Sequence, residues 1–314
     1  MLNTLCPRPS AKRDPLKRVG VLIVTLLLSA SSLYALDVKV PDIMHPMKNP
    51  KMYTKTMECP NCGMMINMWA RTRHSFSNHE GEFETCSIRC LADLSAKAGE
   101  KPENVKVAVY TEPEKMVSAH EAVYVVGSSA KGTMTMKSKI AFADKESAEK
   151  FVGQYGGEIQ GFEATLKNAT MEVDKMRAQI QSNRMGKGKI SEPVAATSCS
   201  LCGMPPASFP AHRSQLTTTD GENLHFCSSK CLVNYVDEHK DSVKPQASWV
   251  TVYPDGDYEF VKGLYYVVGS SVMGPMGPEA LPFRKKADAE ALIAKQGGRI
   301  VRWSALTPEA IVVK

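Results

Sequence analysis

The stretch Cys59-Pro-Asn-Cys62-Gly63-Met64 occurs a second time in this chain of 314 residues, as Cys199-Ser-Leu-Cys202-Gly203-Met204, at an offset of 140. Four further landmarks recur in the same order at offsets of 141 or 142. Two cysteines four residues apart begin at Cys86 and again at Cys227, and a Tyr-Val-Val-Gly-Ser-Ser run begins at Tyr124 and again at Tyr266. A single methionine, Met134, has its counterpart at Met276, and a Gly-Gly pair begins at Gly156 and again at Gly297. A period this long predicts two homologous domains and not a solenoid of short repeats.

Each copy combines short β-rich runs with segments of helical length. In the first copy, the pattern predicts helices over 87–97 and 145–155, and strands over 66–72, 82–85, 105–110, 122–127, 137–142 and 158–160. The second copy follows with strands over 248–253, 265–269 and 299–301 and a helix over 287–295. The sequence therefore predicts an α+β fold of two tandem homologous domains, each built from two small ββαβ halves.

The formal net charge of +6 is concentrated at the N-terminus. Residues 1–35 contain five basic side chains and one acidic one, whereas residues 36–314 contain 34 basic and 32 acidic side chains. A body this close to neutral lacks the positive surface with which nucleic-acid-binding proteins attract phosphates. We therefore expect no nucleic acid among the partners.

The N-terminal segment has the layout of a secretory signal peptide. Its basic residues precede an apolar run over 19–28, and small residues then lead to Ala35. The strongly apolar part is short for a helix that spans a membrane. We expect a signal peptide over 1–35 and a periplasmic mature body, with an uncleaved membrane anchor as the alternative.

The remaining chain contains two segments of different composition. Residues 36–57 are rich in methionine and proline and predict an extended arm, and seven of the 17 methionines fall between positions 44 and 68. Apolar residues three or four apart between positions 166 and 180 predict a helical extension, and the polar segment 182–198 predicts a mobile linker. The expected domains are therefore 58–173 and 197–314, joined by residues 174–196.

The eight cysteines of the body carry the strongest chemical signal. A C-x-x-C turn directs two sulfurs to one point, and two cysteines four apart lie on one face of a helix. Structural disulfides are the alternative use of these residues in an oxidising compartment. The spacing favours one four-thiolate metal centre per copy, formed by Cys59, Cys62, Cys86 and Cys90 in the first copy and by Cys199, Cys202, Cys227 and Cys231 in the second.

Several of these motifs resemble the NosL family. The resemblance rests on Cys62-Gly-Met64, on the run over 124–129 and, most specifically, on Met276-Gly-Pro-Glu-Ala-Leu-Pro-Phe283. It covers residues 59–173 and 199–314. The chain departs from typical members, which are lipoproteins with one unit: it has two units and no cysteine near Ala35. Its Cys86/Cys90 and Cys227/Cys231 pairs are also unlike those of many members and resemble a treble-clef or TRASH-type metal knuckle.

The NosL family consists of periplasmic Cu(I)-binding accessory proteins for nitrous oxide reductase maturation, so the resemblance implies copper binding and no catalysis. It implies nitrous oxide reductase or its membrane copper-assembly machinery as the partner. Carried over by position, the copper ligands of the family fall on Cys62, Met64 and Met134 in the first copy and on Cys202, Met204 and Met276 in the second.

Two functions remain open at the level of sequence. The first is a carrier that holds labile Cu(I) with thiolate and thioether sulfur, which are soft ligands suited to this ion. The second is a scaffold in which Zn(II) closes each four-cysteine knuckle. The methionines favour the carrier, because a closed zinc site has no use for thioethers. The seven histidines keep no common register between the copies, so we expect most of them to be ordinary surface residues.

Overall fold

The computed structural model describes residues 58–312. The predicted signal peptide and the methionine-rich arm, with Met44, Met47, Met52 and Met57, lie outside the described residues. Within residues 58–312, no helix is both long and apolar enough to cross a membrane.

The first half of the first copy is an antiparallel four-stranded sheet with one helix. Its strands β1 to β4 lie side by side in the order β2-β1-β3-β4 and span His74–Asn78, Gly81–Thr85, Glu103–Ala108 and Met116–Ser118. Helix α1, Ile88–Ala98, begins at Ser87, whose side-chain oxygen accepts a hydrogen bond from the Cys90 N–H. The buried face of α1 shares a hydrophobic core with the sheet.

The second half of the first copy is a three-stranded antiparallel sheet with a second helix. Strands β5, β6 and β7 lie in the order β6-β5-β7 and span Val123–Val126, Lys139–Phe142 and Glu158–Gln160. Helix α2, Lys145–Tyr155, is capped by Asp144 and buries Ala148 and Phe151 against the sheet. The predictions of a helix over 145–155 and of a strand over 158–160 are confirmed.

A long helix, α3, follows the first copy over Phe162–Gly186. The chain after it differs from the predicted mobile linker, because Ile190 is buried in a cluster with Trp249, Tyr258 and Phe260. The side-chain amide of Gln215 also donates a hydrogen bond to the Lys189 carbonyl at 3.0 Å. One apolar side chain in a polar segment therefore attaches residues 189–191 to the second copy.

The second copy repeats both halves of the first. Its four-stranded sheet has the order β9-β8-β10-β11, with strands β8 to β11 over Ser214–Thr218, Asn223–Phe226, Pro245–Thr251 and Tyr258–Phe260. Helix α4 of this half is Ser229–Glu238. The sheet of the second half is formed by β12 (Tyr265–Val268), β15 (Leu281–Phe283) and β16 (Arg299–Val301). The hairpin of β13 (Met273–Gly274) and β14 (Gly277–Pro278) is an addition relative to the first copy. The helices are α5 (Lys286–Gln296) and the short α6 (Pro308–Val312).

The α+β fold of two tandem units is confirmed, with differences inside the first half of each copy. Residues 66–72 are not a strand but two 3-10 turns, Ile66–Met68 and Ala70–Thr72. The reason is that Ile66 is fully buried beside the cysteines and does not alternate across a sheet. Each first half also has a fourth strand of only three residues, β4 or β11, so its order is ββαββ. The ββαβ order describes the second halves.

The two copies meet where the C-x-x-C turn of the first lies against β11 of the second. Gly63 has a left-handed φ of +73°, and a Cβ atom at this position would lie 2.8 Å from a ring carbon of Phe260. Beside this contact, Glu259 forms ion pairs with Lys97 at 3.8 Å and with Arg177 at 3.3 Å. Burial disfavours the Glu259 carboxylate, but the surrounding cations, Lys97 foremost, lower its pKa. A buried ion network therefore reinforces the contact between the copies.

We expect Gly63→Ala to lower the free energy of unfolding by about 2–5 kcal/mol. The substitution adds left-handed backbone strain of about 1–2 kcal/mol and overpacking of about 1–3 kcal/mol against Phe260. Gly203→Ala is the matched control, because its φ is +78° and no described atom lies within 4 Å of the added methyl group. Denaturant unfolding of the reduced, metal-free chains measures both losses, and equal losses would contradict the contact.

Candidate metal centres

The first cluster of cysteines is built from a tight turn and the start of a helix. In the turn, the N–H groups of Cys62 and Gly63 donate to the Cys59 carbonyl at 3.3 and 2.9 Å. The Cys59 N–H in turn donates to the Met64 carbonyl at 2.8 Å. Glycine permits the left-handed backbone that closes this turn, so both sulfurs point to one side.

The other two thiols of the first cluster belong to the N-terminal end of α1. Cys86 precedes the capping residue Ser87, and Cys90 lies in the first turn of the helix. The Thr72 hydroxyl donates to the Cys86 carbonyl at 2.8 Å and holds this backbone in place. The free N–H groups and the dipole at a helix N-terminus favour negative charge, so this position stabilises thiolates.

The sulfurs of the first cluster lie at the separation that a tetrahedral metal site requires. The Cys86 Sγ is 3.6 Å from the Sγ atoms of both Cys62 and Cys90, and with Cys59 the four sulfurs lie within 4.8 Å of one another. Four Zn–S bonds of about 2.3 Å in a tetrahedron place the sulfurs about 3.8 Å apart, whereas a disulfide bond is about 2.05 Å long. The cluster therefore fits a metal–thiolate centre and not two disulfides.

The second cluster repeats this arrangement. The Cys227 Sγ is 3.5 Å from the Cys202 Sγ and 3.6 Å from the Cys231 Sγ, and with Cys199 the four sulfurs again lie within 4.8 Å of one another. Ser228 caps α4 by accepting a hydrogen bond from the Cys231 N–H. All four cysteines of the first cluster are buried, whereas Cys202 is partly exposed. The structure thus brings together each predicted set of four cysteines, and the two sets differ in exposure.

Hydrogen bonds among the crowded thiols shift their pKa values in opposite directions. Hydrogen bonds from the other thiols, that of Cys59 foremost, lower the pKa of Cys90. The contacts with Cys59, together with burial, raise the pKa of Cys62 and of Cys86. The second cluster behaves alike, with the pKa of Cys199 lowered by its neighbours. A metal ion that binds the thiols with raised pKa must therefore displace their protons.

The predicted methionine ligands are not all equally close to the thiols. Met64 and Met134 pack against the first cluster, and Met204 packs against the core that contains the second. Met134 comes from the second half of its copy and has a left-handed φ of +58°. Met276, its counterpart, is 39% exposed, and its carbonyl accepts a hydrogen bond from Lys230 in the first turn of α4. The ligand roles of all four methionines stay predictions.

Two buried titratable side chains near the clusters carry no signal in the sequence pattern. His74 is not a surface residue, because its ring nitrogens bond to the Thr72 carbonyl and the Tyr124 hydroxyl and burial lowers its pKa to about 4. It is a neutral core residue and not a ligand. Burial raises the pKa of Glu279 to about 7, and this side chain accepts a hydrogen bond from the Lys230 N–H.

The fold and the clusters together define the class of protein. An α+β chain that gathers four thiols at the same place in two tandem copies has the architecture of a protein with two four-cysteine sites that could hold a metal ion. The chain belongs to the NosL family, whose sequence profile matches it twice, over residues 50–170 and 191–311.

Two known proteins are similar to parts of this chain. The copper-binding lipoprotein NosL of Stutzerimonas stutzeri is 32% identical over 123 residues, which are 36% of this chain and 64% of that protein. The crystal structure of the copper chaperone NosL from Shewanella denitrificans shares 29% sequence identity, with a TM-score of 0.35, over 38% of this chain and 96% of that one. This chain thus spans less than two thirds of the length of the Stutzerimonas relative.

Metal binding is expected to release protons at neutral pH. The pKa values of Cys62 and Cys86 in the first cluster and of Cys227 and Cys231 in the second are raised by the neighbouring thiols and by burial, so an ion that binds these cysteines displaces protons from them. The apparent metal affinity consequently rises with pH until the thiols with raised pKa ionise unaided. Calorimetric titration with Zn(II) at pH 7, in two buffers of different ionisation enthalpy, measures the number of protons. A value near zero would mean that the ions bind outside the clusters.

Proposed function

We propose that this protein is a Cu(I)-binding accessory protein, a metallochaperone, and not an enzyme. The observation that carries the proposal is the cluster of four thiols in each copy of a NosL-family chain. Thioether sulfur packs beside the thiols, and soft ligands of both kinds suit Cu(I). The similar protein from Stutzerimonas stutzeri is named as copper-binding, which supports the same metal here.

Transfer of the ion in this proposal proceeds by ligand exchange at sulfur. A thioether is neutral and needs no proton, so it joins or leaves Cu(I) without a change in charge. A sulfur ligand of the recipient therefore replaces a thioether such as that of Met204 first. The more strongly bound thiolates follow once the recipient holds the ion.

The compartment and the recipient belong to the same proposal. The signal-peptide layout of residues 1–35 supports a periplasmic location, and the name lipoprotein of the Stutzerimonas relative agrees with export. We propose nitrous oxide reductase, or its membrane copper-assembly machinery, as the recipient, because the resemblance to the NosL family implies it.

A structural zinc scaffold is the second candidate. It is favoured by the first cluster, whose four cysteines are buried and whose closest sulfurs are separated as in a tetrahedral Zn(II) site. Zn(II) in a closed knuckle stabilises the fold and is not passed on. The two candidates differ in the metal that the purified chain holds and in how readily it gives that metal up.

We expect the reduced chain to bind at least two Cu(I) ions, because the predicted ligands occur in both copies. Titration against a competing Cu(I) chelator under anaerobic conditions measures the stoichiometry, and metal analysis of the untreated protein is done beside it. A single bound ion would mean one shared or one degenerate site. No bound Cu(I), together with tightly held Zn(II), would decide for the scaffold.

Replacing the two methionines of the Met-Gly position tests the thioethers. We expect the Met134→Leu/Met276→Leu variant to lose Cu(I) affinity at least about tenfold, roughly 1.4 kcal/mol. Leucine retains the bulk of methionine, so stability changes by less than about 1.5 kcal/mol. A β-branched residue is avoided because Met134 has a positive φ.

Met136→Leu is the control for this variant, since Met136 is 81% exposed and lies two residues from Met134. It is expected to leave both copper affinity and melting temperature unchanged. If the double variant has normal affinity and a lowered melting temperature, these methionines are packing residues and not ligands.

A further inference from the structure

We propose that the two four-cysteine centres have different roles: the first retains its metal ion at the contact between the copies, and the second exchanges its ion with the recipient. This division rests on the metal-carrier function proposed above. It is argued from the surfaces that cover each centre, since the sulfur geometry of the two centres is alike.

The second copy closes over the turn that carries the first centre. Phe260 lies so close to Gly63 that a Cβ atom there would be 2.8 Å from its ring. On the same turn, the Pro60 carbonyl oxygen lies 3.0 Å from the position of a Cβ on Gly263. As a result Cys62, the outermost cysteine of this centre, is only 4% exposed.

A buried polar network holds this cover in place. Arg184, near the end of α3, donates a hydrogen bond to the Cys62 carbonyl at 3.2 Å. Inside the turn, the Asn61 side chain accepts a hydrogen bond from Lys97 at 2.9 Å, and Lys97 pairs with Glu259 of the second copy. Separating the copies would break the buried ion pair between Lys97 and Glu259, which opposes the opening of the first centre.

The corresponding turn of the second centre has no such cover among the described residues. Gly203 takes the place of Gly63 with nearly the same φ, +78° against +73°. No described atom lies within 4 Å of the position of a Cβ on Gly203. Cys202, the counterpart of Cys62, is partly exposed.

The strand registers explain why the second copy covers the first centre whereas the first copy does not cover the second centre. In the second copy, Trp249 of β10 pairs with Phe260 of β11, and both side chains are buried in one cluster with Ile190. At the same register in the first copy, Lys106 of β3 pairs with Ser118 of β4, and Lys106 is exposed. Within residues 58–312, the apolar surface that covers a centre is therefore found on the second copy and not on the first, and the contact between the copies is head-to-tail.

The cover determines how fast each ion can leave. Ligand exchange requires that an incoming sulfur or chelator reach the ion. At the second centre, Cys202 offers a route from solvent, whereas at the first centre the copies must separate before a ligand can enter. The chain thereby combines one ion that stabilises the arrangement of its copies with one ion that is available for transfer.

The rate of metal release tests this division. The reduced full chain is loaded with two equivalents of Zn(II), or in a parallel arm of Cu(I), and mixed with an excess of a chromophoric chelator. We expect one equivalent to leave fast and the other at least about 100-fold more slowly, since the second release waits for local opening. In the Cys202→Ser/Cys227→Ser variant, the fast phase disappears and the slow phase remains.

Thiol alkylation of the reduced, metal-free chain provides a readout that needs no metal. With timed quenching and peptide mass spectrometry, we expect Cys202 to be modified at least about tenfold faster than Cys62. If the chain binds no Cu(I), the proposed function fails, but the alkylation order and the Zn(II) release still decide whether the centres differ.

Phe260→Ala removes part of the cover and is expected to accelerate the slow release at least about tenfold without changing the fast one. Phe151→Ala is its control, because Phe151 is a buried phenylalanine of a separate core cluster and reports general destabilisation. The proposal is overturned by one common release rate, by equal alkylation of Cys62 and Cys202, or by equal effects of the two phenylalanine variants.

Discussion

Four thiols held within 4.8 Å of one another are the constraint on which the rest of each repeat depends. Sulfurs so close cannot all be ionised unless a cation lies among them. The binding of a metal ion is therefore coupled to the loss of protons from the thiols. The serine that caps the helix, Ser87 or Ser228, also bonds to the N–H of the helix cysteine. The start of the helix and the position of the thiol are therefore determined by the same contact.

Duplication placed two such clusters in one chain, and the packing of the copies made them unequal. Burial disfavours the charge of Glu259 in the second copy, but Lys97 and Arg177 of the first copy, with Arg284, outweigh it and lower its pKa. Removing one partner from a buried ion network of this kind costs about 3–5 kcal/mol, so the network favours one arrangement of the copies. In that arrangement Gly63 is covered by Phe260 and Gly203 is open.

Predictions that rest on short-range spacing agree with the structure. Cysteines three and four apart converge as expected, and helix α2 and strand β7 have the predicted bounds. The predictions failed where a side chain packs against a distant part of the chain. Residues 66–72 turn because Ile66 is buried against the cysteines, and residues 182–198 are not a free linker because Ile190 packs on Trp249.

The amino-acid sequence by itself determined that the chain is duplicated, that its units are α+β and that each unit gathers four cysteines. These properties follow from residue spacings within one copy and from the comparison of the two copies. Only the tertiary structure decided which cluster is covered, and that Met134 packs against its cluster while Met276 is exposed. The physical reason is that the burial of a turn depends on contacts between residues far apart in the chain, such as Gly63 and Phe260. The spacing of residues within a turn does not specify which of two similar turns a distant strand will contact.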